Sequence, residues 1–330
     1  MIYTLTLNPA MDKTVVIENF NPGGVNRIKS LRVDVGGKGI NVSKCLKTLG
    51  CKSTAAAFWG GTAGQRGIDF LKENGIGSIA VTVSEDTRTN LKIIDPIRHE
   101  NTDINEPGPT ITEENMEELI RKLDEAITPN DILILSGSIP KGCEHSIYRD
   151  LIQRYQNQGA KVYLDVDGEN FRLGITAAPT LIKPNIDELN RHLNADLTEI
   201  SKIAAAAKEF LKLGIEEVVV SLGGDGALLV KENLCLKADG LRVPVLSTVG
   251  AGDSMVAALA CGAEKGLSDV QRLKLAIAIS AASVMCSGTQ APEAEQIEEL
   301  YHQVNIREVN GYESKSSKTS RCRRSASGRI

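Results

Sequence analysis

The chain has 330 residues, enough for one large α/β domain with an added lid, or for two domains. Hydrophobic residues make up 42%, enough to fill an ordinary globular core. A net charge of −4 with 4% aromatic residues argues against a basic, base-stacking surface for nucleic acid. No apolar run reaches the roughly 18–20 residues of a membrane span, and no cationic-plus-apolar leader opens the chain, so no membrane partner is expected and the expected location is the cytoplasm.

Strand-like and helix-like runs alternate along the sequence. IYTLTL (2–7) reads as a strand. GGKGINVSKCLKTLG (36–50) reads as a helix with Ile40, Cys45, Leu46 and Leu49 on one face and Gly50 at its end. STAAAFWG (53–60) predicts a small apolar strand, and 64–75 a short helix. In 113–127, Met116, Leu119, Ile120, Leu123 and Ile127 form one helical stripe. DILILSGS (131–138) is a near-continuous apolar strand of the kind buried on both faces. A helix at 144–158, strands at 161–166 and 180–185, a helix at 200–213, a strand at 217–223 and helices at 253–265 and 269–286 continue the pattern.

This alternation implies a parallel sheet covered by helices, with ligands beyond the carboxyl ends of its strands. Two regions interrupt it. Residues 10–35 and 87–106 are strand-like and polar at alternate positions, and are expected to form a separate small sheet, a lid on one edge of the core. The serine-rich, basic stretch 310–330 lacks the apolar residues to order itself and is expected to be a disordered tail. The remaining 1–309 are expected to be a single domain.

The seven cysteines, Cys45, Cys51, Cys143, Cys235, Cys261, Cys286 and Cys322, form no CxxC pair, which points to reduced, inert thiols. The four histidines are scattered, so neither a zinc site nor a Ser–His–Asp triad is expected.

STVGAGDSMVAALACG (247–262) carries glycines into the start of a helix, where unpaired N–H groups and the helix dipole favour anions. Yet Asp253 stands in the mouth of that cradle. It fits as a base beside a bound phosphate, with the amides of Ala251, Gly252 and Asp253 around the transferring group, or as an N-terminal helix residue favoured by the dipole. SLGGDGALLV (221–230) is a second glycine turn after a buried strand, suited to backbone contact with a nucleotide. IKPNIDEL (182–189) places Lys183, Asn185 and Glu188 at another strand end. Asn185 and Glu188, three apart, either hold Mg²⁺ through waters or form a capping box.

In the first half, Asp12 follows strand one. Gly36, Gly37, Lys38 and Asn41 open a helix, and Arg88 and Asn90 sit on a lid strand. Carboxylates and amides suit sugar hydroxyls, and cations suit a phosphate. Singly, each of these residues is equally a solvated polar group; their joint presence is what points to a polyol site.

These motifs, in this order over roughly residues 1–305, resemble the ribokinase–PfkB carbohydrate kinase family. GGKGIN is similar to its N-terminal signature and STVGAGDSMVA to its C-terminal one. TLTLNPAMD, TRTN and LSGSIPKG resemble the branch that acts on sugars already phosphorylated. NVSKCLKTLG and TDINEPGP are similar to its 1-phosphofructokinases, with tagatose-6-phosphate kinases and small 6-phosphofructokinases as neighbours.

The resemblance implies a ribokinase-like, Rossmann-type three-layer core with a mostly parallel sheet and a small β-sheet lid. It implies ATP and Mg²⁺, and Asp253 as catalytic base with Gly250, Ala251 and Gly252 as anion hole. Lys183, Asn185, Ser221, Gly223, Gly224, Asp225 and Gly226 fall on the nucleotide side, and Glu188 on the metal side, through water. Asp12, Gly36, Gly37, Asn41, Arg88, Asn90 and Ser138 fall on the sugar site, and Arg27 and Lys38 on the substrate phosphate. The family's lid doubles as a dimer interface, which implies a homodimer.

Asp167 departs from the Ser or Asn common in this branch. The reaction so implied converts fructose 1-phosphate to fructose 1,6-bisphosphate, with the other ketose phosphates as alternatives. A non-catalytic sugar-phosphate binder is a further alternative. A nicotinamide dehydrogenase is disfavoured because no G-x-G-x-x-G follows the first strand.

Overall fold

A computed structural model describes residues 1–309. The expected tail, 310–330, lies outside the described residues. The strands are β1 Ile2–Thr6, β2 Ala10–Val16, β3 Ser30–Gly36, β4 Ser53–Gly60, β5 Gly77–Val83, β6 Arg88–Asp95, β7 Glu100–Asn105, β8 Ile132–Ser136, β9 Lys161–Asp165, β10 Leu181–Ile182, β11 Glu217–Ser221, β12 Ala227–Lys231, β13 Leu234–Ala238 and β14 Ile306–Glu308. The helices are α1 Lys38–Thr48, α2 Gly61–Glu73, α3 Glu113–Ala126, α4 Ile147–Asn157, α5 Gly168–Gly174, α6 Ile186–Leu193, α7 Ile200–Leu211, α8 Ala251–Glu264, α9 Asp269–Val284 and α10 Ala294–Gln303.

Ten strands form one sheet in the order β14-β13-β12-β11-β10-β9-β8-β1-β4-β5. From β11 to β5 every pairing is parallel; β12, β13 and β14 add an antiparallel edge. The sheet is covered on both faces. Along β8, Leu133 and Leu135 enter the apolar cluster that includes Leu119, Leu123, Tyr148 and Phe210. Ile132 and Ile134, pointing the other way, enter the cluster built on α1, α8 and α9. Two-residue alternation within a continuous apolar run thus supplies both faces of a three-layer sandwich.

Local signals set the helix boundaries. Thr112 and Asn115 form a reciprocal cap on α3, and Ser268 and Gln271 do the same on α9. The strand expected over 180–185 contracts to Leu181–Ile182, because Pro184 has no N–H for the ladder. β5 and the β12–β13 hairpin were not foreseen; their apolar runs are short and lie beside glycine turns.

The second sheet has the order β3-β2-β6-β7 and is the expected lid. Its two hairpin-like halves meet through the parallel pair β2–β6, which sets Asp12 opposite Asn90 and Ala10 opposite Arg88. It leans on the core through Arg32, whose guanidinium donates to Asp34 Oδ2 at 2.7 Å and to the Ser287 carbonyl at 2.6 Å.

The expectation of seven unpaired thiols needs correction. Cys51 and Cys261 are joined in a disulfide across 210 residues. Folding brings the α1–β4 loop against α8 and places the two Cα atoms 6.1 Å apart, which spacing along the chain does not reveal. Among the described residues no helix is long and apolar enough to cross a membrane.

Candidate active site

The loops after β1, β9, β10 and β11 and the first turns of α1 and α8 converge at the carboxyl edge of the parallel sheet. Two cavities meet there. One, of about 560 Å³, lies between the core and the lid; Asp12, Asn41, Arg88, Asn90 and Asp253 are among its lining side chains. The other, of about 690 Å³, runs from the 223–226 turn along α8 and α9 and has apolar walls that include Leu241, Val243, Met255 and Ile277. Asn185, Ser221 and Gly252 line both. An isolated parallel bridge pairs Asn185 with Ser221 beyond the ends of β10 and β11, which fixes this junction in backbone.

Gly250 is the N-cap of α8 and has φ 85°, a left-handed conformation open to glycine. It starts the helix at the junction, where the first-turn amides of Ala251, Gly252 and Asp253 have no partner within the helix and each of these residues lines one cavity or both. A Cβ on Gly252 would lie 3.3 Å from Lys183 Nζ. An ammonium therefore flanks the amide cradle, and together they make a site for a highly charged anion.

Asp253 is 6% exposed. Its Oδ2 accepts from Asn41 Nδ2 at 2.9 Å. Burial raises its pKa to about 6, against the pull of Lys38, Asn41 and Lys183 and with a contribution from Asp165. A carboxyl tuned there can accept a proton near neutral pH and release it again.

Asp165, at the end of β9, was not among the residues expected here. It is buried and sits between two ammonium groups, Lys183 Nζ at 3.1 Å and Lys38 Nζ at 3.7 Å. Burial works against its ionisation, but the two lysines prevail and hold its pKa below the usual carboxylate range. Asp165 in turn raises the pKa of Lys38, outweighing the cost of burying it. Its signal was the one used for the other strand-end residues: a carboxylate closing an apolar run, KVYLD. Asp167, two residues on, is exposed and is the N-cap residue of α5.

On the lid side, Asn90 Nδ2 donates to Asp12 Oδ1 at 2.9 Å. Burial raises the Asp12 pKa. Gly36 is needed at its place because a Cβ there would lie 1.9 Å from Asp12 Oδ2; a Cβ on Gly37, φ 112°, would meet Thr6 Cγ2 at 2.7 Å. Arg88 donates through Nη2 to the Asn8 carbonyl at 3.0 Å and through Nη1 to the Glu106 carbonyl at 3.3 Å. Among the described residues, Arg88 Nε, Asn90 Oδ1 and Thr289 Oγ1 are buried without a partner, and all three residues line the cavity between the core and the lid. Unsatisfied donors and acceptors converging on one cavity fit a polar, many-hydroxyl ligand.

Asn185 and Glu188 realise the capping-box alternative: Glu188 Oε2 accepts from the Asn185 amide at 2.9 Å and Asn185 Oδ1 from the Glu188 amide at 2.8 Å. They also line the cavity, so the cap is what aims them. Among the described residues no three His, Cys, Asp or Glu side chains gather as a metal site. In the second turn, Gly223 and Gly224 have open space where a Cβ would stand, whereas one on Gly226, φ 93°, would lie 2.1 Å from the Ala238 carbonyl oxygen. Asp225 is exposed; its carbonyl accepts from the buried ammonium of Lys237. Arg27 is exposed on the segment between β2 and β3, and Ser138 is exposed just after β8; neither lines the cavities.

The model of the pfkB family carbohydrate kinases matches residues 6–296. A 1-phosphofructokinase of Bacillus subtilis (strain 168) is 34% identical over 308 residues, covering 93% of this chain and 99% of that protein. A tagatose-6-phosphate kinase of Staphylococcus epidermidis is 33% identical over 314 residues, covering 94% and 100%. Among solved structures, phosphofructokinase-2 from Escherichia coli in complex with substrates and products superposes with a TM-score of 0.87 at 31% identity, covering 92% of this chain and 98% of that one. With two cavities joined at a glycine-capped helix, and with a match running nearly end to end, the chain belongs to the pfkB family of carbohydrate kinases.

Proposed function

We propose that the chain transfers the γ-phosphoryl group of ATP to a ketose phosphate, with fructose 1-phosphate as acceptor and fructose 1,6-bisphosphate as product. The observation that carries this reading is the place of Asp253. It stands buried where a polar cavity with unsatisfied sugar-type partners meets an apolar, glycine-edged cavity of nucleotide size.

In this reading Asp253 accepts the proton of the acceptor hydroxyl as that oxygen bonds to phosphorus. The bond from phosphorus to the departing ADP oxygen breaks, and the amides of Ala251, Gly252 and Asp253 with Lys183 hold the charge on the transferring group. Asp12, Asn41 and Asn90 take sugar hydroxyls. Arg88, whose Nε has no partner, and Lys38 face the substrate's existing phosphate. Ser221, Gly223, Gly224 and Gly226 bound the nucleotide, whose base lies along the apolar wall. Mg²⁺ would be held by Glu188, with Asn185 beside it, and by phosphate oxygens and water; a hard cation suits a single carboxylate plus phosphates. Bound there, it would neutralise phosphate charge.

We read residues 1–309 as the kinase unit and, since the reaction consumes ATP, the cytoplasm as its location. Val25, Ile28, Leu31 and Ile104 are exposed apolar side chains on the lid and its connections. This supports the lid sheet as the interface of a homodimer, in which Arg27 would lie close to that interface.

An ADP-release assay across fructose 1-phosphate, fructose 6-phosphate, tagatose 6-phosphate and unphosphorylated sugars tests the reading. Fructose 1-phosphate is expected to have the highest kcat/KM. A preference for tagatose 6-phosphate or fructose 6-phosphate, both named among similar proteins, would replace the acceptor and keep the mechanism. No ADP release with any sugar phosphate would overturn the reaction.

A further inference from the structure

Asn41 touches Asp253, but nothing in Asn41 itself dictates which end of its amide does so. Besides the carboxylate, the group that fixes it is Lys44, one helical turn further along α1. Its ammonium donates to Asn41 Oδ1 at 3.3 Å, to the Val35 carbonyl at the end of lid strand β3, and to the Thr289 carbonyl at 3.4 Å. It also lies 5.5 Å from the centre of the Phe70 ring. An ammonium only donates and a carboxylate only accepts. An amide between them is therefore satisfied one way round, with oxygen toward Lys44 and nitrogen toward Asp253.

We infer that Lys44 is a positioning residue for catalysis, which orients Asn41 against Asp253 and makes that orientation depend on the docking of strand β3 and the segment around Thr289. This inference rests on the kinase reading above. The two carbonyls belong to parts of the chain that surround the substrate: β3 carries Asp34, and Asp34 and Thr289 both line the sugar-side cavity. If the lid lifts, Lys44 loses Val35, and the amide loses the cation that holds it.

The charged and titratable groups around this relay come from every neighbouring element. Lys38 on α1, Asp165 on β9 and Lys183 after β10 act on Asp253. Burial lowers the Lys44 pKa, and Asp34 on β3, Asp12 on β2, Cys45 on α1 and Asp253 on α8 oppose it. Removing Lys44 withdraws one positive charge from this set and frees the amide, and both changes favour the protonated form of Asp253.

The test is a double-mutant cycle of Lys44→Met and Asn41→Leu, with Lys44→Arg as the conservative variant and Lys44→Gln as a neutral donor of milder effect on folding. Thermal unfolding and ATP binding are measured for each. In the wild-type background Lys44→Met is expected to lower kcat by about tenfold, the size of one hydrogen bond to a charged group, with ATP affinity unchanged. The acid limb of the pH–rate profile should move to higher pH, and Lys44→Arg should restore most of the loss. In the Asn41→Leu background Lys44→Met should add nothing, because its partner is gone. Should Lys44→Met fail to fold, Lys44→Gln carries the same cycle and the same pH profile. Independent, multiplying losses, or an acid limb that stays in place, would overturn the inference while leaving the kinase reading intact. A wild type that phosphorylates no sugar phosphate overturns both.

Discussion

Asn41 and Asp253, 212 residues apart, share a 2.9 Å hydrogen bond that ties the first turn of α8 to the first half of α1. The bond joins the two glycine-led motifs of the sequence in one site. It also holds in place a buried carboxylate that lines the cavity between the core and the lid.

Replacing Asp253 by Asn keeps the shape and removes the base. A fall in kcat of about 10²–10⁴-fold is expected, the usual range for loss of a general base. ATP affinity, measured by calorimetry, should barely change. Near-normal turnover would exclude Asp253 as the proton acceptor.

The pH dependence follows from the same residue. Its carboxyl group titrates at about 6 in the free protein, raised chiefly by burial. A base works in its ionised form, so kcat/KM should be flat above that value and fall by about tenfold per pH unit below it. In Asp253→Asn this limb should be absent; its persistence there would assign it to another group.

Arg88 tests the sugar side. Arg88→Ala removes a guanidinium that lines the cavity with an unpartnered Nε. A lost charge-assisted contact to phosphate is worth about 1.5–3 kcal/mol, so KM for the sugar phosphate should rise by about 10- to 100-fold with a smaller effect on KM for ATP. Unaltered sugar-phosphate KM would place the phosphate elsewhere.

Asp165 tests the buried charge pair. Asp165 and Lys183 are 3% and 5% exposed, so Asp165→Asn leaves an ammonium buried without its counter-charge. Breaking such a pair costs about 3–5 kcal/mol. Urea denaturation should show a loss of that order, and a midpoint equal to that of the wild type would mean that Lys183 finds another partner.

Gly226 tests the nucleotide turn. A Cβ at φ 93° would meet the Ala238 carbonyl oxygen at 2.1 Å, so Gly226→Ala must push β12 and β13 apart at their base. Weaker ATP binding and a lower melting temperature are expected together. If ATP affinity survives, the 223–226 turn is not a nucleotide contact.

Much of the core was legible in one dimension. ILILS reads as a strand buried on both faces because alternate side chains serve opposite layers, and α3 reads from its apolar stripe. The lid was legible because β2, β3, β6 and β7 alternate in polarity and interrupt the βα rhythm. The β12–β13 hairpin and β5 were not, since short apolar runs beside glycines carry no period long enough to type. Among site residues, Asp253, Asn41 and Arg88 announced themselves within motifs. Asp165 did not, because a strand-end aspartate without a glycine neighbour looks the same whether it is solvated or buried.

Sequence alone thus determined the order of layers, the two glycine turns and the kinds of side chain offered to a ligand, because these depend on residues close together in the chain. Only the tertiary structure decided which charges neutralise one another, which thiols meet and which end of the Asn41 amide faces Asp253. Those outcomes depend on distances of a few ångströms between groups as much as 212 residues apart, and on burial, which turns such distances into pKa values.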